Sequence, residues 1–170
     1  MGCAANAAHR VTPVTIRRAN LSESPLLARH RRAMFRAMGY RDEAALEAME
    51  LSFAEWVREK LASGVYFAWL ALHSTGEPIA GAGVWLMDWP PHMVGPGAPR
   101  ANILNIYVEP EWRRQGIARQ LTQTALDFCR ERGIGAVILH ASPEGRALYE
   151  SLGFTSTNEM RLMIDPRVSE

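Results

Sequence analysis

The sequence predicts a mixed α/β fold of the α+β kind, with one sheet of about seven strands and helices on both faces. Three observations predict it. Two apolar stretches, Val65–His73 and Ile79–Trp89, flank Thr75-Gly76-Glu77-Pro78, which has the composition of a tight turn. Strand and helix signals then alternate from Ala101 to about Leu152, which calls for roughly parallel strands joined by a helical crossover. Two helical stretches precede the hairpin and supply cover for a sheet face.

Taken in order, Val14–Arg18 is a short first strand. Pro25 opens a helix that runs to about Met38 and stops at Gly39, a residue suited to the left-handed end of a helix. Asp42 caps a second helix to about Ala62, ended by Ser63-Gly64. The hairpin follows, then Pro90–Pro99, whose four prolines and two glycines predict an irregular loop. Ala101–Val108 is a strand stopped by Pro110, and Gly116 opens a helix to about Glu131. Ala136–His140 is the next strand, Ser142 to Leu152 carries a helix, and Phe154–Ile164 reads as a last pair of strands. Residues 13–165 form one domain, between loose tails over 1–12 and 166–170.

A chain of 170 residues with 48% hydrophobic content can bury a core of ordinary size. The net charge of +1 gives no reason to expect nucleic acid as a partner, and the basic run Arg29-His30-Arg31-Arg32 is too short to change that. No stretch approaches the roughly 18 apolar residues of a membrane span, and the first ten residues lack the apolar core of a secretory signal. Met1-Gly2-Cys3 is not a myristoylation site, because Asn6 stands where Ser or Thr is needed. Cys3 and Cys129 form no disulfide framework, and a reduced cytoplasmic setting is the simplest account. Gly81-Ala82-Gly83 is not a dinucleotide fingerprint, since Leu86 replaces the third glycine and no helix start follows.

The most informative run is Ile106-Tyr-Val-Glu-Pro-Glu-Trp-Arg-Arg-Gln-Gly-Ile-Ala-Arg-Gln-Leu121. A strand ends, a basic turn follows, and a helix opens at Gly116-Ile117-Ala118. The first amides of a helix lack intrahelical acceptors and sit at the positive end of its dipole, which makes an anion site. Arg113, Arg114 and Arg119 flank it and suit a phosphate-bearing ligand. Backbone donors to a charged group contribute about 1.5–3 kcal/mol each, against about 0–1 kcal/mol for one exposed arginine pair, so Gly116 is the sensitive position.

The spacing Arg113-x-x-Gly116-x-Ala118 resembles the acetyl-CoA signature of the GCN5-related N-acetyltransferases, and Leu148-Tyr149-Glu150-x-x-Gly153-Phe154 resembles that family's second motif. The resemblance covers about residues 14–164. It implies a mostly antiparallel sheet with a splayed central parallel pair, acetyl-CoA as cofactor, and transfer of an acetyl group to an amine without a covalent acetyl-enzyme. It further implies that Arg113, Arg114, Gln115, Gly116, Ile117, Ala118 and Arg119 hold the pyrophosphate, while Ile106 and Val108 meet the pantetheine arm. Ser142 stands where many members carry Asn, and it still offers a donor and an acceptor; Arg146 joins it on the cofactor side. No metal is implied, and the resemblance leaves a homodimer open.

The same resemblance makes the Val108 amide the donor to the developing oxyanion. Tyr149 becomes the acid for the leaving thiolate, because a phenol of ordinary pKa near 10 stays protonated at neutral pH. A lysine-like amine is almost wholly protonated at pH 7, so a proton path is needed. His140 could take that proton, Asn105 or Glu159 could order a water chain, and an ordered water alone is an alternative.

For the acceptor, Glu43, Glu47 and Glu50 share a helix face and call for cations, with Arg29, Arg32 and Arg36 as candidates. Either these are two solvated charged faces, or they form an acidic wall for a polyamine or aminoglycoside. Trp85, Asp88 and Trp89 offer rings and a carboxylate for an ammonium, although a tryptophan placed like Trp85 is more often core than site. A small-molecule amine is the expected partner. A protein or peptide amine, and a non-catalytic acyl-CoA-binding module, stand as alternatives.

Overall fold

The computed structural model describes residues 13–91, 93 and 99–164. The expected tails, Cys3 and most of the Pro/Gly loop lie outside these residues. The chain divides into two compact units, residues 1–140 and 141–170.

The first unit holds β1 (Thr15–Arg18), α1 (Ser24–Ala37), α2 (Glu43–Ala62), β2 (Tyr66–Leu72), β3 (Pro78–Met87), β4 (Arg100–Val108), α3 (Ile117–Glu131) and β5 (Val137–Leu139). The strands form one sheet in sequence order, antiparallel from β1 to β4 and parallel between β4 and β5. The helices begin and end where local chemistry demands. The Asp42 side chain accepts the Ala45 amide at 3.0 Å, and Pro25 occupies the first turn of α1. Gly39 and Gly64, at φ +104° and +70°, turn the chain out of α1 and α2.

Alternation along β2 puts the helices on both faces. Tyr66, Ala68 and Leu70 pack with Leu27 and Ala28 of α1 and Phe53 and Val57 of α2. Phe67 and Trp69, on the other face, meet Phe128 of α3 at ring separations of 4.6 and 5.2 Å. That double burial explains why β2 is apolar throughout rather than alternating. Helix α3 is amphipathic and buries Ile117, Leu121, Ala125, Phe128 and Cys129, and desolvation pushes the Cys129 thiol up to about 11. No helix among the described residues is long and apolar enough to cross a membrane.

Among its described residues, the second unit contains one short helix, α4 (Arg146–Glu150). The described residues thus hold five strands rather than the seven expected, and the difference is Phe154–Ile164. No strand forms there, and Met160, Leu162 and Ile164 are more than 80% exposed. A strand needs a neighbour for its backbone and a face to bury; without the second, β-prone residues do not suffice.

Candidate active site

Strand β4 is irregular at its centre. Gly81 pairs with Tyr107 and Gly83 with Leu104, so one residue of β3, Ala82, faces two of β4, Asn105 and Ile106. This is a β-bulge, and Asn105 takes the left-handed φ of +56° that asparagine tolerates better than most side chains. Asn105 is buried. Its Nδ2 donates to the Tyr66 hydroxyl at 3.0 Å, and its Oδ1 accepts from Arg31 at 2.6 Å. Burial pushes the Tyr66 phenol up to about 12, so it is un-ionised at neutral pH.

Beyond the bulge, the Glu109 amide donates to the Ile79 carbonyl at 2.9 Å. In an antiparallel ladder, amides of successive residues point to opposite edges. The Val108 N–H and C=O, paired opposite Ala80, therefore face away from β3. On that side β5 pairs with β4 only from Ala101 to Ile103, so the parallel ladder stops well short of Val108. The Arg113 Nε occupies part of this edge by donating to the Val108 carbonyl at 3.0 Å. Arg113 is thus a brace between the loop and the strand end, a bond that its expected role at the pyrophosphate did not include.

The loop then turns twice through left-handed backbone, at Arg114 (φ +62°) and Gly116 (φ +78°), before α3 begins. Gly116 is the N-cap and has no side chain to cap the helix, so the first-turn amides of Ile117 and Ala118 point into the loop without intrahelical acceptors. Gln115 donates to the Glu111 carbonyl at 3.1 Å. Arg114 and Arg119 are exposed, and Ile106 is half-buried in the bulge. His140 is exposed just past the end of β5.

In the second unit, the Ser142 hydroxyl oxygen accepts the Gly145 amide at 3.2 Å. Gly145 brings this turn close to the Tyr149 ring, since a Cβ there would stand 2.9 Å from a ring carbon. Tyr149 also packs edge-on against Phe154 at 6.0 Å, and desolvation raises its phenol above the ordinary value. Arg146 donates to the Ser156 hydroxyl at 3.2 Å, and the exposed Glu159 amide donates to the Thr157 hydroxyl at 3.4 Å.

The acceptor candidates separate. Glu43 is bound by both Arg36 and Arg32, and Glu50 by Arg32 at 2.9 Å. Two of the three arginines expected to answer the acidic face do so, and hold its carboxylates below their usual pKa at Glu43. Glu47 is exposed. Trp85 packs edge-on against Trp56 at 5.4 Å, beside the α1–α2 core. Asp88 and Trp89 are exposed at the end of β3, with Arg100 over the Trp89 ring at 4.1 Å.

Sequence reasoning missed Arg31, Tyr66 and His30. His30 is 4% exposed, its Nδ1 lacks a hydrogen-bond partner among the described residues, and burial lowers its pKa to about 4. One signal was available: glycines two apart inside a strand mark a bulge or a close approach. Gly81 lies under His30 and Gly83 under Tyr66.

The fold is shared with many solved proteins. A GCN5-related N-acetyltransferase from Ralstonia eutropha JMP134 is 39% identical, with a TM-score of 0.82 over 89% of this chain and 99% of that one. A predicted acetyltransferase from Clostridium acetobutylicum, solved with acetyl-CoA, is 26% identical with a TM-score of 0.81, covering 89% of this chain and 96% of that one. Human N-acetyltransferase 8 is 40% identical over 63 residues, 35% of this chain, and the match spans only 28% of that relative's length. The model of the acetyltransferase (GNAT) family matches residues 27–154, and the chain belongs to that family.

Proposed function

We propose that this chain is an acetyl-CoA-dependent N-acetyltransferase that passes the acetyl group directly to a primary amine of a small molecule while both are bound. The observation that carries the reading is the Val108 amide, turned by the Glu109–Ile79 bond toward the edge that β5 leaves open. A donor fixed by the ladder needs no reorganisation when negative charge develops beside it.

The chain's residues fit the cofactor. Gly116 supplies an uncapped helix start, the turn carries exposed Arg113 and Arg114, and this donor set suits a pyrophosphate. Acetyl-CoA, when bound, supplies the acetyl group as an activated thioester. Val108 then donates to the acetyl oxygen as it gains charge. Tyr149, kept protonated by desolvation, would give its phenol proton to the leaving thiolate and regain one from solvent. Ser142 uses its oxygen within its own turn and keeps its hydroxyl hydrogen for the pantetheine. Asn105 has both ends of its amide engaged by Tyr66 and Arg31, which holds the bulge and leaves one donor and one lone pair for an ordered water. The amine's proton is left to His140, to Glu159 or to water.

The test is coenzyme A release against a panel of amino acids, polyamines, aminoglycosides and short peptides, with Val108→Pro as the diagnostic variant. Proline removes the amide that faces away from β3, and so costs no β3–β4 bond. Turnover should fall about 100- to 1,000-fold, well beyond any loss of acetyl-CoA affinity from the strand's contact with the pantetheine arm. Full activity in Val108→Pro would remove this amide from the reaction. Acetyl-CoA binding with no turnover of any amine would favour the non-catalytic module.

A further inference from the structure

We infer that the acceptor amine carries an anionic group, a carboxylate or a phosphate, held by Arg31. The inference rests on the acetyltransferase reading for the reaction and on the surroundings of Arg31 for the anion.

Arg31 stands apart from Arg32 and Arg36 on α1, and from the exposed Arg29 by its burial. Arg32 and Arg36 are answered by Glu43 and Glu50, and Arg17 of β1 by Glu23 at 2.6 Å. Arg31 has no carboxylate partner among the described residues, although it is half-buried. Its guanidinium lies over the rings of Phe35 and Phe53, at 4.9 and 4.8 Å, and among the described residues donates one hydrogen bond, to Asn105. A guanidinium has five N–H donors, so most of its donor edge remains for a ligand. Taking a cation partly out of water is costly without a counter-ion, and ring contacts cover a face rather than the edge. The result is a pre-positioned fork of the kind that binds two anion oxygens at once.

Its place gives the anion a role. Arg31 is fixed to the β4 bulge, and Asn105 precedes Val108 by three residues, or at most about 10 Å along a strand. An anion on Arg31 would therefore orient an amine of modest length toward the Val108 edge. On the acidic face of α2, Glu43 and Glu50 are already neutralised, which leaves only the exposed Glu47 for a cation. The acceptor class shifts accordingly, from polycations to amines with an acidic group.

Matched amines test this: phenylalanine, β-alanine and 4-aminobutyrate each against its own amide, and O-phosphoethanolamine against ethanolamine. The wild type should favour the anionic member of at least one pair by about tenfold or more in kcat/KM. Which pair responds tells carboxylate from phosphate. Arg31→Gln, which keeps a donor for Asn105, should abolish that preference, and Arg31→Lys should retain part of it. Equal rates within every pair, or a preference that Arg31→Gln leaves intact, overturn the inference. A binding arm keeps it separate from catalysis. With coenzyme A saturating, phosphate or acetate should raise the wild-type Tm above chloride at equal ionic strength, and should not do so in Arg31→Gln. An Arg31-dependent shift without turnover upholds the anion site and rejects acetyl transfer. Turnover with neither preference nor shift rejects the anion site alone, and silence in both arms rejects both.

Discussion

At Gly83 an added Cβ would stand 1.9 Å from the Tyr66 hydroxyl oxygen and 2.4 Å from the ring carbon bearing it. Tyr66 is 1% exposed and cannot swing away, so Gly83→Ala should cost about 2–4 kcal/mol in chemical denaturation, by overpacking and by loss of the bond to Asn105. A change below 1 kcal/mol would mean that the bulge gives way easily. Gly116 is governed by different physics. Its φ of +78° disfavours any side chain, and a Cβ would also hold ligand oxygens off the helix amides. Gly116→Val should therefore raise the acetyl-CoA Kd at least about tenfold more than Arg114→Ala, as calorimetry can read. Equal losses would contradict the backbone-amide account. The loop was legible from its residues because glycine, arginine and helix start lie within six positions. Arg31 and Tyr66 were not, because their meaning depends on Asn105, 74 and 39 residues away.

The elements followed local rules where local rules apply. Asp42, Pro25, Gly39 and Gly64 placed the ends of α1 and α2 to within a residue or two of expectation, because caps are decided by neighbours in sequence. Strand β4 was placed by its apolar run, but its bulge was not, since a bulge is a relation between two strands. This gives β4 a prediction of its own. Asn105→Ala loses both side-chain bonds and retains a Cβ in left-handed backbone, whereas Asn105→Gly loses the bonds alone. Thermal or urea unfolding should find the glycine variant the more stable by about 1 kcal/mol. The reverse order would mean that the bulge relaxes to extended backbone once its side chain is gone. The two strands expected over Phe154–Ile164 failed for the complementary reason: strand-like residues do not carry the address of a partner.

For the whole molecule, the sharpest consequence of burial is a dependence on acid. His30 has a folded pKa near 4 against an ordinary 6.5, so between those values the unfolded chain binds the proton and the folded chain does not. Stability should fall as the pH drops from about 6.5 toward 4, by up to about 3 kcal/mol, and then level off as far as this group is concerned. Glu23, whose carboxyl is held below its usual range chiefly by its bond to Arg17, contributes a loss of the same sign at lower pH. His30→Leu should flatten the upper part of that profile in urea titrations at successive pH values. An unchanged slope would assign the acid sensitivity elsewhere. A net charge of +1 gave no hint of this, because one desolvated imidazole outweighs a balanced surface. The inner face of α3 has a practical consequence as well. Cys129 is 1% exposed with its thiol pushed up to about 11, so a chromogenic disulfide reagent should leave it untouched in the native protein. Cys3 is the other thiol of the chain and adds at most one equivalent, a fixed offset rather than a rate. Continuous absorbance recording of freed coenzyme A, with Cys3→Ser as the clean background, is thereby built into the packing of this helix.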